Sequence, residues 1–174
     1  MRAIVKLVAV TPALWLAATT LAAAPQFPPM RAGLWQVTTA SRPADGAPPA
    51  PPRTTTICLD ASVQQQMMQF SQGVMRGLCS RNDIRVDGTT VTGDAECQIG
   101  GSRAVTHSVM KFNGDTGYHT EAHAVYDPPL LGRASADSII DGRLTGPCPA
   151  GVAPGDMQLP DGKTINLRTI TNTP

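Results

Sequence analysis

Apolar and polar residues alternate with a period of two over most of this chain, and turn-forming residues interrupt the alternation at short intervals. That is the pattern of an antiparallel β protein. Gly33 to Ala40 (GLWQVTTA) and Thr54 to Leu59 (TTTICL) read as the first two strands. Ser41 to Pro52 between them carries five prolines. It is a loop, because proline lacks the amide donor that a helix or an interior strand needs. Five more strands follow: Arg81 to Val86, Thr89 to Ile99, Arg103 to Phe112, Thr116 to Tyr126 and Arg133 to Leu144. Asp87-Gly88, Gly100-Gly101, Asn113-Gly114 and Asp127-Pro128-Pro129 separate them, and each is a turn signal. Sequential strands joined by tight turns form a meander. The expected fold is therefore mainly β, with about seven antiparallel strands in a curled, barrel-like sheet and one α-helix.

The helix is the one segment where the period changes. Val63, Met67, Phe70, Val74 and Leu78 recur at helical spacing, and Met68 and Met75 widen the stripe. Gln64, Gln65, Gln66, Gln69 and Gln72 fill the other side. The predicted span is 61–77. Asp60 or Ser62 can cap its start, and Ser62 with Gln65 fits a capping box. Gly77 is placed to end it with a positive φ. The methionine-rich stripe is expected to pack into the core. A β-rich domain over 25–150 is thus followed by a tail, 151–174. The tail reads as irregular except for Lys163 to Ile170, whose alternation fits an added edge strand.

The first 24 residues differ from the rest. Arg2 and Lys6 precede an apolar run from Leu7 to Leu21, and Ala22-Ala23-Ala24 follows. This is the layout of a secretory signal peptide, with cleavage expected after Ala22 because Pro25 disfavours a cut after Ala24. The run contains Pro12 and is short for a membrane span, which needs about 20 apolar residues. The first cysteine is Cys58, so an N-terminal lipid anchor on cysteine is not expected. The expected location is periplasmic or secreted.

Export gives meaning to the four cysteines, Cys58, Cys79, Cys97 and Cys148. An even count in an oxidising compartment implies two disulfides, with three connectivities open. The expected pairs are Cys58–Cys79, across the helix, and Cys97–Cys148, pinning the chain end. No pair has the two-residue gap of a zinc site. The chain has 14 basic and 13 acidic residues, and the balance without Arg2 and Lys6 is 12 to 13. A near-neutral domain without a basic cluster is not a nucleic-acid binder.

The residues also resemble a family. Arg31 to Thr38 (RAGLWQVT), Thr56 to Leu59 (TICL), Val91 to Cys97 (VTGDAEC), Phe112 to Tyr118 (FNGDTGY) and Asp141 to Cys148 (DGRLTGPC) resemble, in order, motifs of the bacterial domain-of-unknown-function 3617 family. The resemblance covers about Arg31 to Pro149 and implies an exported, β-rich domain. It supplies no catalytic residue. Gly33-Leu34-Trp35 is also similar to the G-x-W of lipocalin-like barrels, where an arginine of the last strand stacks on the indole. That likeness implies a barrel-closing or ligand-contacting cation–π pair between Trp35 and Arg143; the alternative, and the expectation from the residues themselves, is that Trp35 is the one large core residue and Arg143 is solvated.

His119, Glu121 and His123 form H-x-E-x-H on a predicted strand, and alternation puts them on one face. The two histidines would stand about 13–14 Å apart, too far to share a metal. His107 joins their face only if the loop at Asn113-Gly114 has three residues. A solvated polar face is the expectation, with no metal. Neither a nucleophile elbow nor a phosphate or dinucleotide loop is present, so no enzyme activity and no cofactor are expected. The function that remains is a non-enzymatic binding module for a small apolar ligand or lipid. The alternative is a structural or partner-binding envelope protein without a ligand. A continuous apolar cavity against the sheet would favour the first.

Overall fold

A computed structural model describes residues 26–43 and 48–171. The leader expected at 1–24 lies outside the described residues. The elements are β1 (Gly33–Pro43), β2 (Arg53–Leu59), α1 (Ala61–Leu78), β3 (Cys79–Asp87), β4 (Thr90–Ile99), β5 (Ser102–Asn113), β6 (Gly117–Leu130), β7 (Arg133–Gly146), β8 (Asp156–Gln158), β9 (Thr164–Asn166) and α2 (Leu167–Thr171). Among the described residues nine strands form one antiparallel sheet in the order β3-β4-β5-β6-β7-β1-β2-β8-β9. The sheet is somewhat curled and does not close.

The meander β3 to β7 follows the turn signals, and β1 and β2 add to its β7 edge. The tail belongs to the sheet. β8 pairs with β2, and β9 pairs with β8. The edge strand expected at Lys163 to Ile170 is shorter, because the chain turns helical at Leu167. Strand β6 also runs on past the expected end at Tyr126, to Leu130. Gly33 has a φ of +147°, and a Cβ there would overlap the Gly146 carbonyl on β7. Only glycine suits that position.

Alternation sorts the sheet into two faces. Trp35, Ile57 and Leu59 lie on one face with Val63 of α1, and together they form the buried core. Val37, Tyr118, Leu144, Met157 and Leu167 pack around them. On the same face, further along the meander, the rows are small: Gly93, Ser108, Ala122 and Ser138 in one, and Ala95, Thr106, Ala124 and Ala136 in the next. The opposite face carries the histidines and most of the charged side chains, together with Val105, Val109, Val125 and Ile139.

Helix α1 starts beside β2 and ends at β3, the far edge of the sheet. Its 18 residues span about 27 Å. Six strand spacings cover about 29 Å, so the helix runs like a chord across the curled face. Asp60 caps it by accepting from the Val63 amide at 2.8 Å, and the Ser62 hydroxyl donates to the same carboxylate. The Ser62–Gln65 box does not form, because Asp60 takes that role. The helix does not stop at Gly77. It runs to Leu78, and Cys79 continues as extended chain straight into β3.

Two expectations fail here. First, the apolar stripe of α1 is not core. Only Val63 is buried, while Met67, Phe70, Val74 and Leu78 are 39%, 47%, 40% and 48% exposed. Beyond Met67 the helix crosses the part of this face that carries the small rows of β4 to β7. Second, the disulfides are Cys58–Cys148 and Cys79–Cys97. Cys58 and Cys79 stand at opposite ends of α1, far beyond the Cα separation of about 7 Å that a bridge tolerates. Leu34 of β1 pairs with both Cys58 and Gly146, which brings Cys148 beside Cys58, and Cys79 faces Cys97 across β3 and β4.

Candidate functional site

The core face opens into a cleft where β1, β5 and β6 meet the first turns of α1. A partly open cavity of about 240 Å³ lies there, with an almost wholly apolar lining that includes Trp35, Met67, Met68, Met110, Phe112 and Tyr118. Trp35 is fully buried, and its indole N–H donates to the Arg31 carbonyl at 2.9 Å. Its ring stacks on Tyr118 with centroids 6.1 Å apart, and Phe112 tilts against Tyr118 at the same distance. Burial, reinforced by the Asp141 carboxylate, pushes the Tyr118 hydroxyl above its ordinary pKa. The phenol therefore stays neutral, which suits an apolar wall.

Three local devices hold this wall. Tyr118 faces Gly142 across β6 and β7, and its ring occupies the space a Cβ at 142 would fill. Arg31 donates twice to the Asp115 carboxylate, at 2.9 and 3.0 Å, and its own amide donates to the Asp115 carbonyl. This clamps the entry segment to the β5–β6 turn. Gln64 of α1 donates to the Met30 carbonyl at 2.8 Å and ties the helix to the same segment. Thr120, the register partner of Met110, holds its Oγ1 buried with no hydrogen-bond partner among the described residues.

The helix start is anchored from the tail. Arg168 donates to the Asp60 carboxylate at 3.1 Å and to the Ser62 hydroxyl at 2.5 Å. The Val63 amide, the Ser62 hydroxyl and Arg168 hold the Asp60 carboxyl below its usual pKa. Sequence reading missed this pairing, since 108 residues separate the partners.

Trp35 is where the sequence reading placed it, but Arg143 is not its partner. Trp35 pairs with Leu144, whereas Arg143 pairs with Gln36 and so points to the opposite face. Its guanidinium donates to the Gln36 side chain at 2.8 Å. A register shift between Leu34 and Trp35 sets this parity. The stacking partner of the indole is Tyr118, a residue the sequence reading noted only within the FNGDTGY motif. The alternation of β6 places it on the core side.

On the opposite face, the β5–β6 turn has three residues between Asn113 and Gly117, so His107 does share the face of His119, Glu121 and His123. Each histidine gives its Nδ1 to an aspartate: His107 to Asp94, His119 to Asp141 and His123 to Asp137, at 2.8, 2.7 and 2.6 Å. Asp141 and then Glu121 raise the His119 pKa. His107 holds the Asp94 carboxyl low, and Arg103 does the same for Glu96. No group of three or more metal-ligating side chains converges among the described residues.

The sequence motifs meet in this architecture. Arg31 and Trp35 belong to the first, Asp115 and Tyr118 to the fourth and Gly142 to the fifth, and all of them build the cleft wall. A model of the family described as a protein of unknown function, DUF3617, matches residues 30–148. The chain belongs to the DUF3617 family. The matched span runs from Met30, at the entry clamp, to Cys148, in the disulfide that closes the β2 side. None of the curated proteins and none of the solved structures compared with the chain matches it. Among the described residues no helix is long and apolar enough to cross a membrane.

Proposed function

We propose that this DUF3617 domain is an exported, non-enzymatic binding module that holds a small apolar ligand, such as one lipid chain, in the cleft between α1 and the sheet. The observation that carries this reading is the apolar cavity of about 240 Å³ beneath the first turns of α1. Ligand pockets usually measure about 300–1,000 Å³, so this one suits a small molecule or a short stretch of hydrocarbon. The four methionines Met30, Met67, Met68 and Met110 contribute unbranched, adaptable walls. Beyond the cavity the stripe Phe70, Val74 and Leu78 stays half-exposed over small residues, which leaves room for a longer chain. The signal-like leader supports export to the periplasm or exterior, and two disulfides are compatible with an oxidising compartment.

Native mass spectrometry of protein purified from the periplasm tests the reading. A copurifying small apolar mass is expected, together with saturable quenching of Trp35 by a fluorescent fatty acid. Met67→Glu should abolish both while the fold persists, because Met67 is already 39% exposed. Absence of a copurified mass together with no saturable uptake would refute it. The half-exposed helix stripe favours a second reading, a docking face for an envelope protein. In that case Phe70→Glu would abolish partner capture and leave the fatty acid uptake at zero throughout.

A further inference from the structure

The register places His107 on β5 directly opposite His123 on β6. With their aspartates they form one row over four adjacent strands: Asp94, His107, His123, Asp137. Cβ atoms of directly opposed residues lie about 4.5–5.5 Å apart. Asp94 holds the His107 Nδ1 from the β4 side, and Asp137 holds the His123 Nδ1 from the β7 side. The Cδ2–Nε2 edge of each ring therefore faces the other ring across the β5–β6 gap. Neither Nε2 bonds to any described residue.

We infer that His107 and His123 form a two-imidazole site for a late first-row divalent cation, copper(II) above all, with water completing the shell. A carboxylate on Nδ1 fixes the N–H there and leaves the Nε2 lone pair to face a metal. This is the outer shell that metal-bound histidines almost always carry. Two nitrogens bound at about 2.0–2.1 Å to one ion stand roughly 3 Å apart, a gap that two opposed rings close by tilting their tips together. Copper(II) heads the affinity order for nitrogen sites and accepts water in its remaining positions. The surrounding charge is balanced between acidic and basic groups, so the two imidazoles themselves carry the site. Asp83 extends the row beyond Asp94, and Glu96 borders it. Nearby Arg81 and Arg103 are paired with Asp83 and Glu96, Arg85 also acts on Asp94, and Arg42 lies beyond Asp137. His119, four residues along β6, stands about 13–14 Å from His123 and takes no part.

Copper(II) chloride titrated into the oxidised full chain, followed by calorimetry and electron paramagnetic resonance, decides the matter. One site is expected, with hyperfine coupling from two imidazole nitrogens. Both histidine side chains are more than half exposed, so His107→Ala and His123→Ala should fold, with unchanged melting, and each should lose the two-nitrogen signature. Asp94→Asn should weaken binding about 10–100-fold through the outer shell, and His119→Ala should change nothing. No binding by the wild type, a two-nitrogen signature that survives either alanine variant, or one that is lost in His119→Ala would overturn the assignment.

Discussion

The helix-bearing face of the sheet has two unlike ends. Around β1 and β2 it is packed: Trp35, Ile57, Leu59 and Val63 are all nearly or fully buried. Further along, two rows across β4 to β7 hold only glycine, alanine, serine and threonine, and the helix keeps Phe70, Val74 and Leu78 half in solvent. The same helix thus serves as core at its first turn and as an unfilled roof further on. Hydrophobic stabilisation, proportional to apolar area removed from water, is concentrated at one end. Hydrogen-bonded strand pairing and the Cys79–Cys97 bridge hold the other.

Substituting one aromatic at each end breaks the comparison most sharply. Trp35→Ala should cost about 3–5 kcal/mol, the range for truncating a buried large aromatic. Phe70→Ala should stay within about 0.5 kcal/mol, as exposed substitutions do. Urea unfolding of both variants checks this. A cost at Phe70 matching that at Trp35 would mean that the roof is packed.

The disulfides give effects of the same size. Cys58–Cys148 closes 90 residues and Cys79–Cys97 closes 18. By loop entropy the first should stabilise by about 4.6 kcal/mol and the second by about 3.2 kcal/mol. Paired serine variants, melted side by side, should keep that order. The longer loop also ties β2 to the end of β7, so its loss should loosen the packed end, seen as a red shift of Trp35 emission.

These two ends were not equally legible in the sequence. The meander was, because Asp87-Gly88, Gly100-Gly101 and Asn113-Gly114 are local signals whose meaning does not depend on the rest of the chain. The helix was legible too, but its role was not. Periodicity shows which side chains share a stripe, not how far the opposing surface buries them, and Phe70, Val74 and Leu78 stay half-exposed. The disulfide pairing was partly legible after all: an 18-residue helix between Cys58 and Cys79 keeps its ends about 27 Å apart. The site depended on parity. Whether Arg143 or Leu144 faces Trp35 is decided by one register shift at Leu34/Trp35, and no local pattern announces it.

Gly142 offers a smaller perturbation of the packed end. A Cβ there would overlap the Tyr118 ring, so Gly142→Ala should cost about 1–3 kcal/mol, as overpacking does. It should also displace Tyr118 from the cleft wall. Fatty acid uptake should fall in this variant and recover in Gly142→Ala combined with Tyr118→Leu. An unchanged melting temperature in the single variant would show that the ring moves freely and that the wall is not rigid.

Asp60 gives the smallest effect, and it is readable by pH. It joins the packed end to the roof, since it caps α1 and receives Arg168 from the tail. Asp60→Ala should cost about 1 kcal/mol as a lost cap. Asp60→Asn keeps a good cap but loses the charge, so the wild type should exceed it only while Asp60 is ionised. The folded-state pKa is lowered, first by the Val63 amide and then by the Ser62 hydroxyl and Arg168. A lowered carboxyl pKa means that the unfolded chain binds the proton more readily. The charge therefore contributes fully above the unfolded value, near 3.8, and the contribution fades as pH falls through the lower folded value. Denaturation of wild type and Asp60→Asn at pH 7 and in steps down to pH 2 should show a gap that is constant above about pH 5 and closes in acid. A gap that persists at pH 2 would mean that the amide substitution disturbs the cap itself and that the charge contributes nothing.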